Sequence, residues 1–492
     1  MLELKQILEF FKKGDLKKLR DLIKINSGND QQLKEKLLDY ILGEKQPNDG
    51  DASVLIYNTG EKSKFSHLKK RLSEDIYKIV FIQNNNRLYD DELPRKKVAC
   101  RKLIIIGEWL INRGAKEAGF AKLRKALSIA NKYYFYYEKL AMLDLFLIYS
   151  GIKNKWNKFN DFSKEIDATI LELKDSMKMK EYAYRIGLLD NFKSNIDIEN
   201  NEEIIGIINQ AKLVKEQSND SNTDYWYFIL ESNVYLIKKE FENALIWNDK
   251  VLAIIKENPS VYGIQRLIAF LIAKANILFR LQRYIELQNL LTDSIKPILY
   301  SKTHNEFRYY ELEFRIGIEK CDFEKCIYFL DKLKRHTRSK IAFNYNRVVL
   351  YEAFYFFRKD DKERALSKIR SVQELVKDKS GWLFGIYFLE ILCLFDLGEF
   401  GQVSYKIDNL NHLIFRQKNK NIVRIKLILK IIKSFIRCPN NAEKVYKQHC
   451  INFVKLKSSR DEYYWDPLGF EVIRFDDWFA EKMKNHSSLS LV

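Results

Sequence analysis

Apolar residues recur along most of this chain at intervals of three and four, the period of an amphipathic helix, and from Leu93 onward they fall into blocks of regular length. Short breaks separate the blocks. Five breaks lead into one signature: Phe241-Glu242-Asn243-Ala244, Tyr284-Ile285-Glu286-Leu287, Phe323-Glu324-Lys325-Cys326, Lys362-Glu363-Arg364-Ala365 and Phe400-Gly401-Gln402-Val403. Their starts step by 43, 39, 39 and 38 residues. Each lies between two helix-period runs, so the pattern predicts a repeated helix–turn–helix whose second helix opens at the signature. Such a pair cannot bury its apolar face alone and must stack on its neighbours. Spacing places further second helices near Lys116, Trp156 and Asn201, and a last one at Pro439-Asn440-Asn441-Ala442.

Small residues mark where paired helices approach. Ser232 and Ala244 are the expected contact in the unit around Phe241, and Ala275 and Ala353 hold the position of Ser232 in their own units. Ala118, Gly119, Ala126 and Ala130 play a similar part between Lys116 and Tyr133. On these residues the stretch of roughly residues 95–455 resembles the tetratricopeptide repeat (TPR) family, most closely over Tyr225 to Pro259, with Tyr235, Ala244, Val251 and Pro259 at or near its landmarks. It departs from that family in a period nearer 40 than about 34, in lacking the usual Trp and Gly of the first helix, and in placing Phe314 where a small residue belongs.

The fold expected is therefore all-α: a right-handed solenoid of TPR-like helix pairs over residues 91–455, with an irregular helical N-terminal cap (1–90) and a C-terminal capping segment (456–492). In the cap, two short helices over Leu2 to Ile25 turn near Gly14-Asp15. Leu33 to Leu42 ends at Gly43, Gln46 to Asp51 is a breaker cluster, and Ser66 to Gln83 is helical before Asn84-Asn85-Asn86. At the other end, seven aromatics within residues 463–479 read as a cover for the exposed apolar face of the last repeat.

Composition agrees with long helices: 492 residues contain only 6 Pro and 18 Gly. Six cysteines are too sparse for a disulfide framework, Met1-Leu2-Glu3-Leu4-Lys5 lacks a secretory layout, and a reducing, cytoplasmic setting is expected. Runs such as Phe270 to Phe279 and Leu143 to Tyr149 fall short of the roughly 18 to 20 apolar residues that span a bilayer, so no membrane insertion is expected. The net charge of +19 raises nucleic acid as a partner, but lysine outnumbers arginine more than twofold, whereas base-reading interfaces favour the arginine fork.

Catalytic signatures are missing from the sequence, and an enzyme, a cofactor or a metal is not expected. Cys326 already serves as the small residue of its repeat, and Cys438, His449 and Cys450 lack a fourth ligand nearby. The acid pairs at Asp90-Asp91-Glu92, Asp461-Glu462 and Asp476-Asp477 read as solvated or helix-opening charges. In Ile422 to Arg437, Lys426, Lys430, Lys433 and Arg437 share one narrow stripe on an otherwise apolar helix, which predicts burial on most sides.

The resemblance to TPR proteins implies that first helices line a concave groove. Asn233 and Asn276 then hold one groove position in consecutive units and Arg315 holds it in the third, with Arg280, Arg308, Arg347 and Arg358 at other positions able to face it. Asn can bond both N–H and C=O of an extended peptide, and Arg can hold a carboxylate with two bonds. The expected function is non-catalytic binding of a protein or peptide, acidic by this chemistry, as a scaffold, adaptor or sensor. The alternative is a nucleic-acid-associated or peptide-responsive regulator using the basic surface; no helix-turn-helix reader is recognisable in the sequence.

Overall fold

The computed structural model describes residues 1–489 apart from 12, 27–29, 59–61, 83–91, 193–200, 219, 300–302, 337–340, 373–380, 417–422 and 459–461. Among these the chain is all-α, with 24 helices and no strand, and no helix is long and apolar enough to cross a membrane. It divides into two compact units, Met1–Lys102 and Leu103–Val492. The boundary read at Asn84-Asn85-Asn86 lies outside the described residues.

In the first unit α1 (Leu2–Glu9), α2 (Lys13–Asn26), α3 (Gln31–Gly43), α4 (Asp49–Tyr57) and α5 (Lys62–Ile82) close on Leu19, Ile23, Leu37, Leu38, Ile41, Leu68, Leu72 and Ile76. A buried ion pair, Lys34 Nζ to Asp75 Oδ2 at 2.6 Å, joins α3 to α5. The turn expected at Gly14-Asp15 comes earlier, at Phe10, whose N–H donates to Ile7 O. Gly14 and Asp15 sit instead in the first turn of α2, where the acid suits the helix N-terminus. Asn48, in the breaker cluster, caps α4 by accepting from Asp51 N at 2.8 Å.

The second unit begins within α6 (Glu92–Asn112) and continues through α7 (Lys116–Tyr133), α8 (Tyr136–Ile152), α9 (Trp156–Phe192), α10 (Glu202–Gln217), α11 (Ser221–Ile237), α12 (Phe241–Glu257), α13 (Ile264–Arg280) and α14 (Tyr284–Asn289). After a π turn (Leu290–Ile295) come α15 (His304–Glu319), α16 (Phe323–Arg335), α17 (Ala342–Arg358), α18 (Lys362–Arg370), α19 (Trp382–Asp396), α20 (Phe400–Arg416), α21 (Val423–Arg437), α22 (Ala442–Gln448), α23 (Cys450–Leu456) and α24 (Phe475–Leu489). All five signatures open a helix at their first residue, as do Lys116, Trp156 and Ala442; Asn201 caps α10.

One turn recurs. Gly114, Asn154, Lys239, Gln282, Cys321, Asp360 and Gly398, each two residues before a second helix, have φ between 53° and 89°. In each, that residue's N–H bonds three residues back and the next bonds five back, as in Lys239 N to Leu236 O and Glu240 N to Tyr235 O. This is the Schellman closure, which satisfies the carbonyls at the end of the first helix.

Helix contact keeps one register across the turn. Ser232 Oγ donates to Ala244 O at 3.4 Å, and Cys326 Sγ lies 3.9 Å from Phe314 O; each pair is 12 residues apart. Ala353 and Ala365, at the same interval, are fully buried. Gly107 and Gly119 touch backbone to backbone: a Cβ on Gly119 would meet Gly107 O at 2.8 Å. Phe314 is tolerated because the close approach moves one turn along, to Gly317, where a Cβ would sit 2.8 Å from Cys326 Sγ.

The array is not uniform. Helix α9 runs 37 residues without a break, so it serves both as the second helix of one pair and as the first of the next. Phe162 stacks on Phe146 of α8, while Met179, Ala183 and Ile186 pack with Leu230 and Val234 of α11. No Gly or Pro lies between Trp156 and Ile186 to interrupt it. The basic stripe of α21 is exposed on a helix otherwise buried, as its pattern predicts.

Candidate functional site

The position four residues before each signature is the last residue of a first helix, and in four successive pairs it is charged: Arg280, Glu319, Arg358 and Asp396. Their signs alternate. The C-terminal segment answers three of them. Asp466 takes Arg280 with two bonds, Nε to Oδ1 at 3.1 Å and Nη2 to Oδ2 at 3.0 Å. Glu481 Oε1 accepts from Arg358 at 2.8 Å. Asp396 receives Trp478 Nε1 at 3.2 Å and Lys482 Nζ at 2.8 Å. Glu319 faces Asp477; burial first and that neighbouring acid second hold the Glu319 carboxyl above its ordinary range.

Between these contacts the segment lies across the middle of the first helices. Arg315 Nη1 donates to Pro467 O at 2.8 Å and to Gly469 O at 3.1 Å, and Nη2 donates to Tyr351 OH at 3.1 Å. Tyr464 lies 5.5 Å from the Phe241 ring, with Lys239 Nζ 5.4 Å from its own. A Cβ on Gly385 would come within 3.0 Å of Phe470 O, so glycine there makes room for the strip. Asp466 also accepts from Leu468 N at 3.0 Å, which fixes the turn at Pro467. Burial alone would raise the Asp466 carboxyl; the Arg280 guanidinium outweighs it and holds the group below the usual range.

Beyond Phe470 the contacts change in kind. Arg424 is buried and grips Glu471 with bonds of 2.7 and 2.8 Å, reaches Asp476 at 3.2 Å, and donates to Leu456 O and Tyr463 O at 2.8 and 3.0 Å. Val472, Ile473, Phe475, Trp478 and Phe479 are at most 5% exposed and join the core of α15 to α23. Phe479 lies 4.6 Å from Phe453 and 5.1 Å from Phe435. Asp476, expected as a solvated or helix-opening charge, does lie in the first turn of α24, but it is buried between Arg424 and Arg474 rather than solvated.

The seven residues singled out in the sequence thus separate. Arg280, Arg315 and Arg358 hold the chain's own C-terminal segment. Arg308 and Arg347 share the two oxygens of Glu311, at 3.0 and 2.7 Å, and Tyr351 OH also reaches that carboxylate at 3.1 Å. Asn233 and Asn276 are half-buried at one register, Asn233 against Gly187; among the described residues neither hydrogen-bonds the segment. Sequence reasoning did not single out Glu319, Asp396, Tyr351 or Arg424. Stepping four residues back from each signature finds the first two.

Cys438 is half-buried, Cys450 is exposed, and His449 is buried between Ser434 Oγ and Asn452 Nδ2, each at 2.8 Å. Comparison with known family models, curated proteins and solved structures finds no match.

Proposed function

We propose that the chain is a non-catalytic scaffold, adaptor or sensor that binds a protein or peptide on the face of its first helices. In this reading the pairs from α6 to α23 form a right-handed, TPR-like solenoid, that face is concave, and residues 1–90 and the C-terminal aromatic segment close its two ends. One observation carries the reading: Arg280 and Arg315 hold a turn of the chain by its carboxylate and two of its backbone carbonyls. Those are the contacts that recognise an unfolded segment without depending on most of its side chains. The same stretch sets four guanidinium groups, Arg280, Arg308, Arg315 and Arg347, against the carboxylates of Glu311, Glu319 and Asp466, and Asp466 belongs to the bound strip itself, which favours an acidic ligand.

The test is selection of a random peptide library on the full chain, repeated with the Asn233→Ala/Asn276→Ala double variant. Acidic peptides should be enriched, and the double variant should bind them roughly 5- to 100-fold more weakly, the equivalent of about 1 to 3 kcal/mol. Enrichment unchanged by the double variant moves binding off this face. Enrichment of no peptide at all removes the reading.

A further inference from the structure

The C-terminal segment is held in two ways, and the boundary between them falls at Phe470. From Glu471 on, apolar side chains are sunk in the core and Glu471 itself is locked by buried Arg424. From Tyr463 to Phe470, all but Trp465 and Pro467 are only partly buried, and Trp465 spends its Nε1–H on the segment's own Glu471 O, at 2.8 Å. What ties this strip to the first helices is polar: Asp466 on partly exposed Arg280, and the carbonyls of Pro467 and Gly469 on the buried Arg315, while Tyr463 O at its start is held by Arg424. Each of these bonds can be remade by another segment that takes the turn from Asp466 to Gly469, closed by Gly469 N to Asp466 O at 2.9 Å, with an acid at the place of Asp466. The bonds that hold residues 471–479 cannot be exchanged without opening the core.

We propose that Tyr464 to Gly469 is a resident occupant of the binding face, and that the partner is an acidic, turn-forming segment which displaces it. Such a segment sets its carboxylate on Arg280 and its backbone carbonyls on Arg315, while residues from Glu471 onward stay in place. This rests on the peptide-binding reading and adds both the partner's chemistry and its regulation. The strip lowers the face's affinity for every competitor, because part of each binding event is spent on displacement. Its aromatic flank, Tyr464 on Phe241 beneath Lys239, adds a preference for an aromatic residue two positions before the acid.

The probe is the synthetic peptide Tyr-Tyr-Trp-Asp-Pro-Leu-Gly-Phe, the strip's own sequence, titrated into the full chain by calorimetry. Asp466→Ala, which takes the resident carboxylate off Arg280, should bind it at least tenfold more tightly than wild type. Arg280→Ala combined with Asp466→Ala should lose that gain. A peptide with Asn in place of Asp should bind at least tenfold more weakly to Asp466→Ala. Hydrogen exchange gives a second readout that needs no variant: saturating peptide should expose the amides of 464–470 and leave 471–480 protected. Equal peptide affinity in wild type and Asp466→Ala, with unchanged exchange at 464–470, overturns the displacement and leaves the peptide-binding reading standing if library peptides still bind. Loss of protection across 464–480 together also overturns it, since the segment then moves as one piece.

Discussion

Residues 463–470 and residues 471–479 are adjacent, carry similar shares of aromatic side chains, and are held by opposite physics. The second stretch buries its rings and matches one internal cation, Arg424, with Glu471 and Asp476, so removing either partner strands a charge in the core. The first buries only the Trp465 ring, leaves its other rings partly exposed, and sets arginine on a part-exposed aspartate and on carbonyls. Aromatic content therefore does not decide which stretch is structural. The difference comes from what lies beneath: α19, α21 and α23 offer Phe395, Phe435 and Phe453, whereas the ends of α13 and the middle of α15 offer guanidinium groups.

The sharpest break in this comparison is Arg424→Ala, which leaves Glu471 and Asp476 buried without a cation. It should cost about 3 to 5 kcal/mol by chemical denaturation. Trp478→Ala, which removes a ring 2% exposed and its bond to Asp396, should cost a similar amount, about 3 to 5 kcal/mol. A loss below about 1 kcal/mol from either would erase the distinction between the two stretches. Across the boundary, Asp466→Ala and Arg280→Ala should each cost only about 1 kcal/mol, and a double-mutant cycle should show them strongly non-additive. Additive losses would mean the two side chains act apart.

The smallest expected effect is in pH, and its sign separates the regions. Asp466 is depressed in the folded chain, so the unfolded chain binds its proton first and this contribution to stability fades as pH falls through the acid range. Glu319 is raised by burial and then by Asp477, and Asp477 is raised by burial and then by Asp476; the folded chain takes up these protons first, and stability rises as pH falls from neutral. Hydrogen exchange between pH 7 and pH 4 should show α24 holding or tightening, with 464–470 loosening only at the acid end. Loosening of both at one pH would show that these carboxyls do not set the difference.

Much of the architecture was legible because each turn has a local cause. The signatures at Phe241, Tyr284, Phe323, Lys362 and Phe400 record where a chain must leave a Schellman turn and start a helix, and spacing carried that rule back to Lys116 and Trp156. The fusion in α9 escaped because regular spacing suggests a break, whereas the chain from Trp156 to Ile186 simply contains no residue that would make one. At the candidate site, register and the resemblance picked out Arg280, Arg315 and Arg358 as able to reach a ligand. Their partners Asp466 and Glu481 are 186 and 123 residues away, and no local pattern links them. The buried role of Arg424 was hidden for a related reason: on its own helix it reads as one more cation beside Lys426 and Lys430.

The Arg280–Asp466 clasp also bears on how the chain gains and loses its structure. In an array whose units touch only their neighbours, melting can begin at an end and advance one unit at a time. Here α13 and the last aromatic segment are tied across 186 residues, so the units from α13 to α24 form a closed circuit of contacts. Opening any link in that circuit weakens the others, and this half of the array is set to unfold in one cooperative step. The cost falls on folding: closing a contact of such long sequence separation carries a loop-closure entropy that shorter contacts escape, and this slows its formation.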